Sequence, residues 1–280
     1  MKSIQLKKTA LSISLVFAVV LTLGISAQAE TKVSGFVDAQ YGWDSDGAPA
    51  GFTVNDGAVY FNATGDMANA TLDIPFAGGG ATPAFTIAGA KTQAYVGKKY
   101  DMGLSWAIGQ WDTIWGMESQ DSVALFFAKN GQIDQRILAS VHTGLLLGYK
   151  FTEMVSLNVV VANSEGAGTG TGTDYNYAGQ LMYKGDSVWF KGGYSFQAMG
   201  ADTSLIDVGL GFKAGSLDLG LGFDMKDTGA ADNAMGIFGS FILNTSDTCG
   251  YGLRFEYISK VAGYADTGIL GTLGANSKMT

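Results

Sequence analysis

The sequence is poor in the residues that catalysis and metal binding use most. It holds one histidine, His142, and one cysteine, Cys249. A lone thiol forms no internal disulfide, and there is no paired-cysteine motif to ligate a metal. A Ser–His mechanism would rest on His142 alone, with no serine that the spacing places beside it. No cofactor motif is legible, and the expectation is a protein that is not an enzyme. Proline occurs three times, and charged residues make up only 15%. Past residue 29 the longest apolar run, glycine aside, is the six residues Val123 to Ala128. A membrane-crossing helix needs about 18 apolar residues, so this part of the chain offers no helical span.

The first 29 residues are different. Lys2, Lys7 and Lys8 precede the apolar stretch from Ala10 to Ile25, and Ala27-Gln28-Ala29 follows. This is the order of a secretory signal peptide, with cleavage expected after Ala29. Residues 30–280 then form one domain. Losing three of 17 basic residues leaves 14 against 25 acidic ones, a net charge of −11. Such a balance argues against nucleic acid as a partner, because phosphate binding needs basic patches.

What the chain has in abundance is glycine, 41 residues, and alternation. From Ser204 to Met225, Ile206, Val208, Leu210 and Phe212 alternate with Asp207, Gly209, Gly211 and Lys213. After a turn at Ala214-Gly215, Leu217, Leu219, Leu221, Phe223 and Met225 alternate with Ser216, Asp218, Gly220, Gly222 and Asp224. Successive strand side chains point to opposite faces, so this predicts a hairpin with one apolar and one polar or glycine face. About twelve further segments repeat the pattern less cleanly, one of them a single strand over 85–97. The connections alternate in length: long at 44–51, 77–84, 111–136, 164–174, 198–203, 226–233 and 259–266, short at the turns between. Tyrosines, tryptophans and phenylalanines gather at both ends of the strands. A β-sandwich could use one such hairpin, but not the regular alternation of long and short connections. The fold class expected is all-β, a transmembrane antiparallel up-and-down β-barrel of about 14 strands. Short periplasmic turns, long extracellular loops and aromatic girdles belong to it. A closed sheet satisfies every backbone polar group in lipid.

The polar face of such a wall would line a pore. Candidate lining residues are Asp38, Gln40, Lys91, Gln93, His142, Lys191, Asp207, Asp218, Asp224, Arg254 and Glu256. For each of them, pairing with a neighbour to brace the wall competes with facing water. The inward glycines Gly209, Gly211, Gly220 and Gly222 would relieve crowding there. The longest loop, 111–136, predicts a short helix near Gln120 to Ala128, with Asp121-Ser122 as its N-cap and Asn130-Gly131 as its stop. Folded into the mouth, this loop would bring Glu118 and Asp121 to a constriction; a cap on the rim is the competing placement.

Several short segments carry a family likeness: Gln93-Ala94-Tyr95-Val96, Gly109-Gln110, Trp115-Gly116-Met117-Glu118-Ser119 and Thr143-Gly144-Leu145. In this order the chain resembles the OmpL-like β-barrel porin family over most of residues 33–260. It departs in having Ile114 where that pattern has proline. The resemblance implies an outer-membrane channel of loosely known substrate, and the polar lining would let ions and small hydrophilic solutes cross it passively. By analogy with porins, it also implies a homotrimer set among lipid and lipopolysaccharide. A structural or adhesive barrel with a plugged lumen is the alternative. The sequence ends at Ser277-Lys278-Met279-Thr280 without a final aromatic residue; one more hairpin would raise the count to sixteen strands.

Overall fold

The computed structural model describes residues 30–42, 51–78, 85–87, 93–117, 133, 137–138, 141–163, 175–198, 203–227, 233–246, 249–259 and 267–277. The chain divides into two units: Met1–Lys99 with Ala107–Trp111, and Tyr100–Trp106 with Asp112–Thr280.

In the first unit β1 (Glu30–Gly42) pairs antiparallel with β2 (Gly51–Thr64), which pairs with β3 (Asn69–Gly78). A register shift after Asp38 places one extra residue in β2. β3 then has two partners. Its first half, Asn69–Asp73, pairs with β5 (Gln93–Lys99), and its last residues, Phe76–Gly78, pair with the short β4 (Phe85–Ile87). The single strand expected over 85–97 is therefore two. Pro75 sits between the two pairings and has no N–H to donate to a ladder. β3 is covered on both faces, since Leu72 and Asp73 are both buried. Gln93 Nε2 donates to Asp73 Oδ2 at 3.3 Å.

β6 (Leu104–Asp112) contributes its middle to the first unit and its ends to the second. The second unit continues with β7 (Val141–Lys150), β8 (Val155–Asn163), β9 (Tyr175–Lys184) and β10 (Val188–Ala198). Then come β11 (Ser204–Ala214), β12 (Leu217–Asp227), β13 (Ala234–Asn244), β14 (Cys249–Ser259) and β15 (Thr267–Ser277). Each strand from β7 onward pairs antiparallel with the next. The tightest turn, between β11 and β12, holds Gly215 at φ +58. Only glycine adopts such an angle without strain.

Burial in this unit is inverted relative to a water-soluble protein. Along β11, β12 and β14 the apolar residues Leu210, Phe212, Leu219, Leu221, Leu253 and Phe255 are exposed, while Asp207, Asp224, Arg254 and Glu256 are buried. Soluble folds bury the first set and solvate the second. The inversion suits a sheet whose outer face meets lipid. Aromatic residues mark both ends of that outer face. Tyr175, Tyr177, Tyr194 and Phe196 are exposed near the long connections, and Tyr149, Phe151 and Tyr183 near the short turns. Tyr177 and Phe196 stack with centroids 5.4 Å apart, and Tyr149 meets Phe151 edge-on at 5.0 Å. Such rings keep an apolar body in lipid and a polar edge in water.

Candidate functional site

The polar face of β9–β14 is not bare. Residues 113–117, Ile133, Ile137 and Leu138, from the two ends of the longest connection, lie on it. Thr113 Oγ1 and His142 Nε2 are 3.2 Å apart, and the Trp115 N–H donates to Thr113 Oγ1 at 3.2 Å. The Trp115 ring stands edge-on to the His142 ring at 6.2 Å and is 2% exposed. Gln180 of β9 donates through Nε2 to the Ile114 carbonyl.

Gly116 is held at both of its peptide groups. Its N–H donates to Asp207 Oδ1 at 3.3 Å, and its carbonyl accepts from Lys191 Nζ. Lys191 in turn lies 3.1 Å from Asp207 Oδ2, with both side chains buried. One ion pair, built by β10 and β11, therefore fixes one residue of the segment. Gly116 has φ +80. Gly116→Ala is expected to cost about 1–2 kcal/mol, the strain of a Cβ in that region. Urea unfolding of the protein in detergent micelles measures it.

The neighbouring contacts are steric. Gly209 stands opposite Gly222, and Gly211 opposite Gly220, on β11 and β12. Gly209, Gly220 and Gly222 leave a shallow track in which Met117 lies, while the Trp189 ring fills the space over Gly211. A Cβ at Gly222 would meet Met117 Cγ at 2.9 Å, and one at Gly209 would meet Met117 Sδ at 2.6 Å. The role given to these residues from sequence, relief of crowding, is thus more specific: Gly209, Gly220 and Gly222 seat Met117. At the far end of the segment Ile133 and Ile137 rest on Gly236. The Ile133 N–H donates to Glu256 Oε1 at 3.1 Å, and Glu256 Oε2 lies 3.4 Å from Arg254 Nε. Lys226 Nζ donates to the Ile137 carbonyl at 3.3 Å.

The residues expected to line a pore fall into three groups. His142, Lys191, Asp207, Arg254 and Glu256 come together beneath this segment, each 5% exposed or less. Asp224, buried as well, is the register partner of Asp207. Asp218 sits apart at the short-turn end, 3.8 Å from Lys213 Nζ and accepting from Asn244 Nδ2 at 2.9 Å. Gln93 belongs to the first unit, on Asp73. Lys91, Glu118, Asp121 and the helix expected over 120–128 lie outside the described residues, as do the side chains of Asp38 and Gln40. Sequence reasoning passed over Trp115, Met117, Ile133 and Ile137 as contact residues. The available signal was the match between inward glycines in neighbouring strands and apolar residues in the one long connection. Among the described residues no cluster of His, Cys, Asp and Glu could hold a metal ion.

The family described as "Putative beta-barrel porin-2, OmpL-like" matches residues 30–280. No curated protein matches the sequence. Among solved structures, a mutant of the Rh. blastica porin is similar at a TM-score of 0.57 and 13% identity, over 90% of this chain and 91% of that one. The outer-membrane OmpT of Vibrio cholerae is similar at a TM-score of 0.52 and 13% identity, over 90% of this chain and 81% of that one. At these identities the likeness is one of fold, the antiparallel up-and-down outer-membrane barrel.

Proposed function

The chain belongs to the OmpL-like β-barrel porin family, and we propose that it forms a water-filled outer-membrane channel for passive diffusion of ions and small hydrophilic solutes. The observation that carries this reading is the inverted burial: apolar side chains outward, charged side chains on the opposite face. In this proposal the 111–136 loop narrows the channel. Its ends are anchored by Lys191, Asp207, Arg254 and Glu256, and Glu118 and Asp121 border the constriction. Asp38, Gln40, Lys91, Gln93, His142, Asp218 and Asp224 complete the polar wall. Selectivity then follows from pore width and from charges near the narrow part.

The rest of the proposal concerns context. The chain is exported through a signal peptide cleaved after Ala29. It sits in the outer membrane among lipid and lipopolysaccharide as a homotrimer, and it performs no chemistry. A second reading has one observation in its favour. The buried state of Gln180, Lys191, Asp207 and Glu256 suits a plugged, structural barrel that acts through its loops. Deleting residues 118–129 separates the two. A several-fold rise in single-channel conductance is expected if the loop narrows an open pore; unchanged conductance contradicts the constriction.

A further inference from the structure

On the polar face of the second unit one register row crosses β9 to β14. It runs from Lys184 through Trp189, Gly211, Gly220 and Ser240 to Arg254. It lies one step nearer the short turns than the row of Lys191, Gly209, Gly222 and Glu256, which carries the anchored segment. Other aromatic rings at this end point outward: Tyr149, Phe190 and Phe212 are exposed. Trp189 has the opposite parity, that of Lys191. Trp115 and Phe238, also on the polar face, are buried, whereas Trp189 is half-buried.

The two glycines of the row make room for their neighbours. A Cβ at Gly211 would run into Trp189 Nε1, and one at Gly220 would meet Ser240 Oγ at 2.6 Å. The indole N–H edge therefore reaches over β11 and the hydroxyl over β12, strands about 4.8 Å apart. One solute oxygen between them reaches both at about 2.9 Å each. Neither side chain has a hydrogen-bond partner among the described residues, and nor has the Lys184 ammonium. Met117 Cε lies 3.4 Å from the same point above Gly220. The row thus borders the segment that Lys191 and Asp207 hold.

The chemistry of the row favours a neutral solute. Lys184 and Lys213 stand against Asp186 and Asp218, so a charged solute gains no net attraction there. A hydroxyl group both donates and accepts, and can use either sign of neighbour. The accessible part of the indole adds an apolar surface, and its electron-rich face suits polarised C–H groups. We infer that Trp189, Ser240 and Lys184 form a contact strip for neutral polyhydroxylated solutes, short saccharides, beside the constriction. The inference rests on the channel reading proposed above and adds a solute class to it.

The test is block of single-channel current by raffinose, an uncharged trisaccharide, in planar bilayers. Raffinose is expected to reduce the current saturably. Trp189→Phe keeps a ring and removes the N–H. It should raise the half-blocking concentration about two- to tenfold, the effect of one neutral hydrogen bond. Ser240→Ala should act in the same direction, and it keeps the test open if Trp189→Phe folds poorly. Raffinose should also shift the tryptophan emission of the wild-type protein in detergent micelles saturably, and sodium acetate should not. Channels without saturable block, or with block unchanged in both variants, overturn the strip and leave the porin standing. An emission shift with acetate but not raffinose assigns these groups to anions and overturns the solute class. A folded wild-type protein that gives neither channels nor an emission shift overturns the porin reading, and the strip with it.

Discussion

Leu221→Arg is expected to destabilise the folded protein in a phospholipid bilayer by about 2–4 kcal/mol. Leu221 lies at the middle of β12 and is 61% exposed. In a soluble protein an exposed leucine away from special features tolerates substitution within about 0.5 kcal/mol. In a lipid-facing wall the same position holds a charge at the depth where hydrocarbon solvates it worst. Guanidinium titration of the protein folded into vesicles measures the difference. Ser216→Arg, in the exposed turn before β12, is the control and should cost about 0–1 kcal/mol, as near an interface. Equal, small effects at both sites would mean that the outer face meets water.

Lys191→Met should cost about 3–5 kcal/mol, because it leaves a buried carboxylate without its cation. Asp207 is 1% exposed and lies 3.1 Å from Lys191 Nζ. The double variant Lys191→Met, Asp207→Leu should recover much of the loss, since an apolar pair needs no desolvated charge. The two variants separate stability from anchoring. Both remove a hold on Gly116, whose carbonyl accepts from Lys191 and whose N–H donates to Asp207. Both should therefore speed tryptic cleavage at Lys129 and Arg136, even where the double variant is nearly as stable as wild type. Cleavage that follows stability alone would mean the ion pair serves the wall and not the segment.

The wall was legible because its signal is local. In Ser204 to Met225 each residue announces its face by type, and the structure forms β11 and β12 there, displaced from expectation only in the turn, which is Gly215-Ser216. The alternation of long and short connections also survives from β6 to β15. The stretch 85–97 misled because its residues read as extended throughout, while the decision to divide it lies in Pro75, on a different strand. The site was half legible. Polar residues at inward positions could be picked out one by one, but their partners could not. The pairing of Lys191 with Asp207 depends on the register of β10 against β11, which joins Lys191 to Gly209 and Gly193 to Asp207. The seat of Met117 depends on glycines from two strands about 100 residues away in the chain. No periodicity within a segment encodes that approach.

The central claim, an open channel through an outer-membrane barrel, is tested most directly by planar-bilayer recording of residues 30–280 folded in detergent. Foldedness is verified beforehand by heat-modifiable migration on a gel. The account predicts discrete, reproducible conductance steps that grow when residues 118–129 are removed. A folded protein that gives no steps, with or without the deletion, would contradict it and favour the plugged barrel.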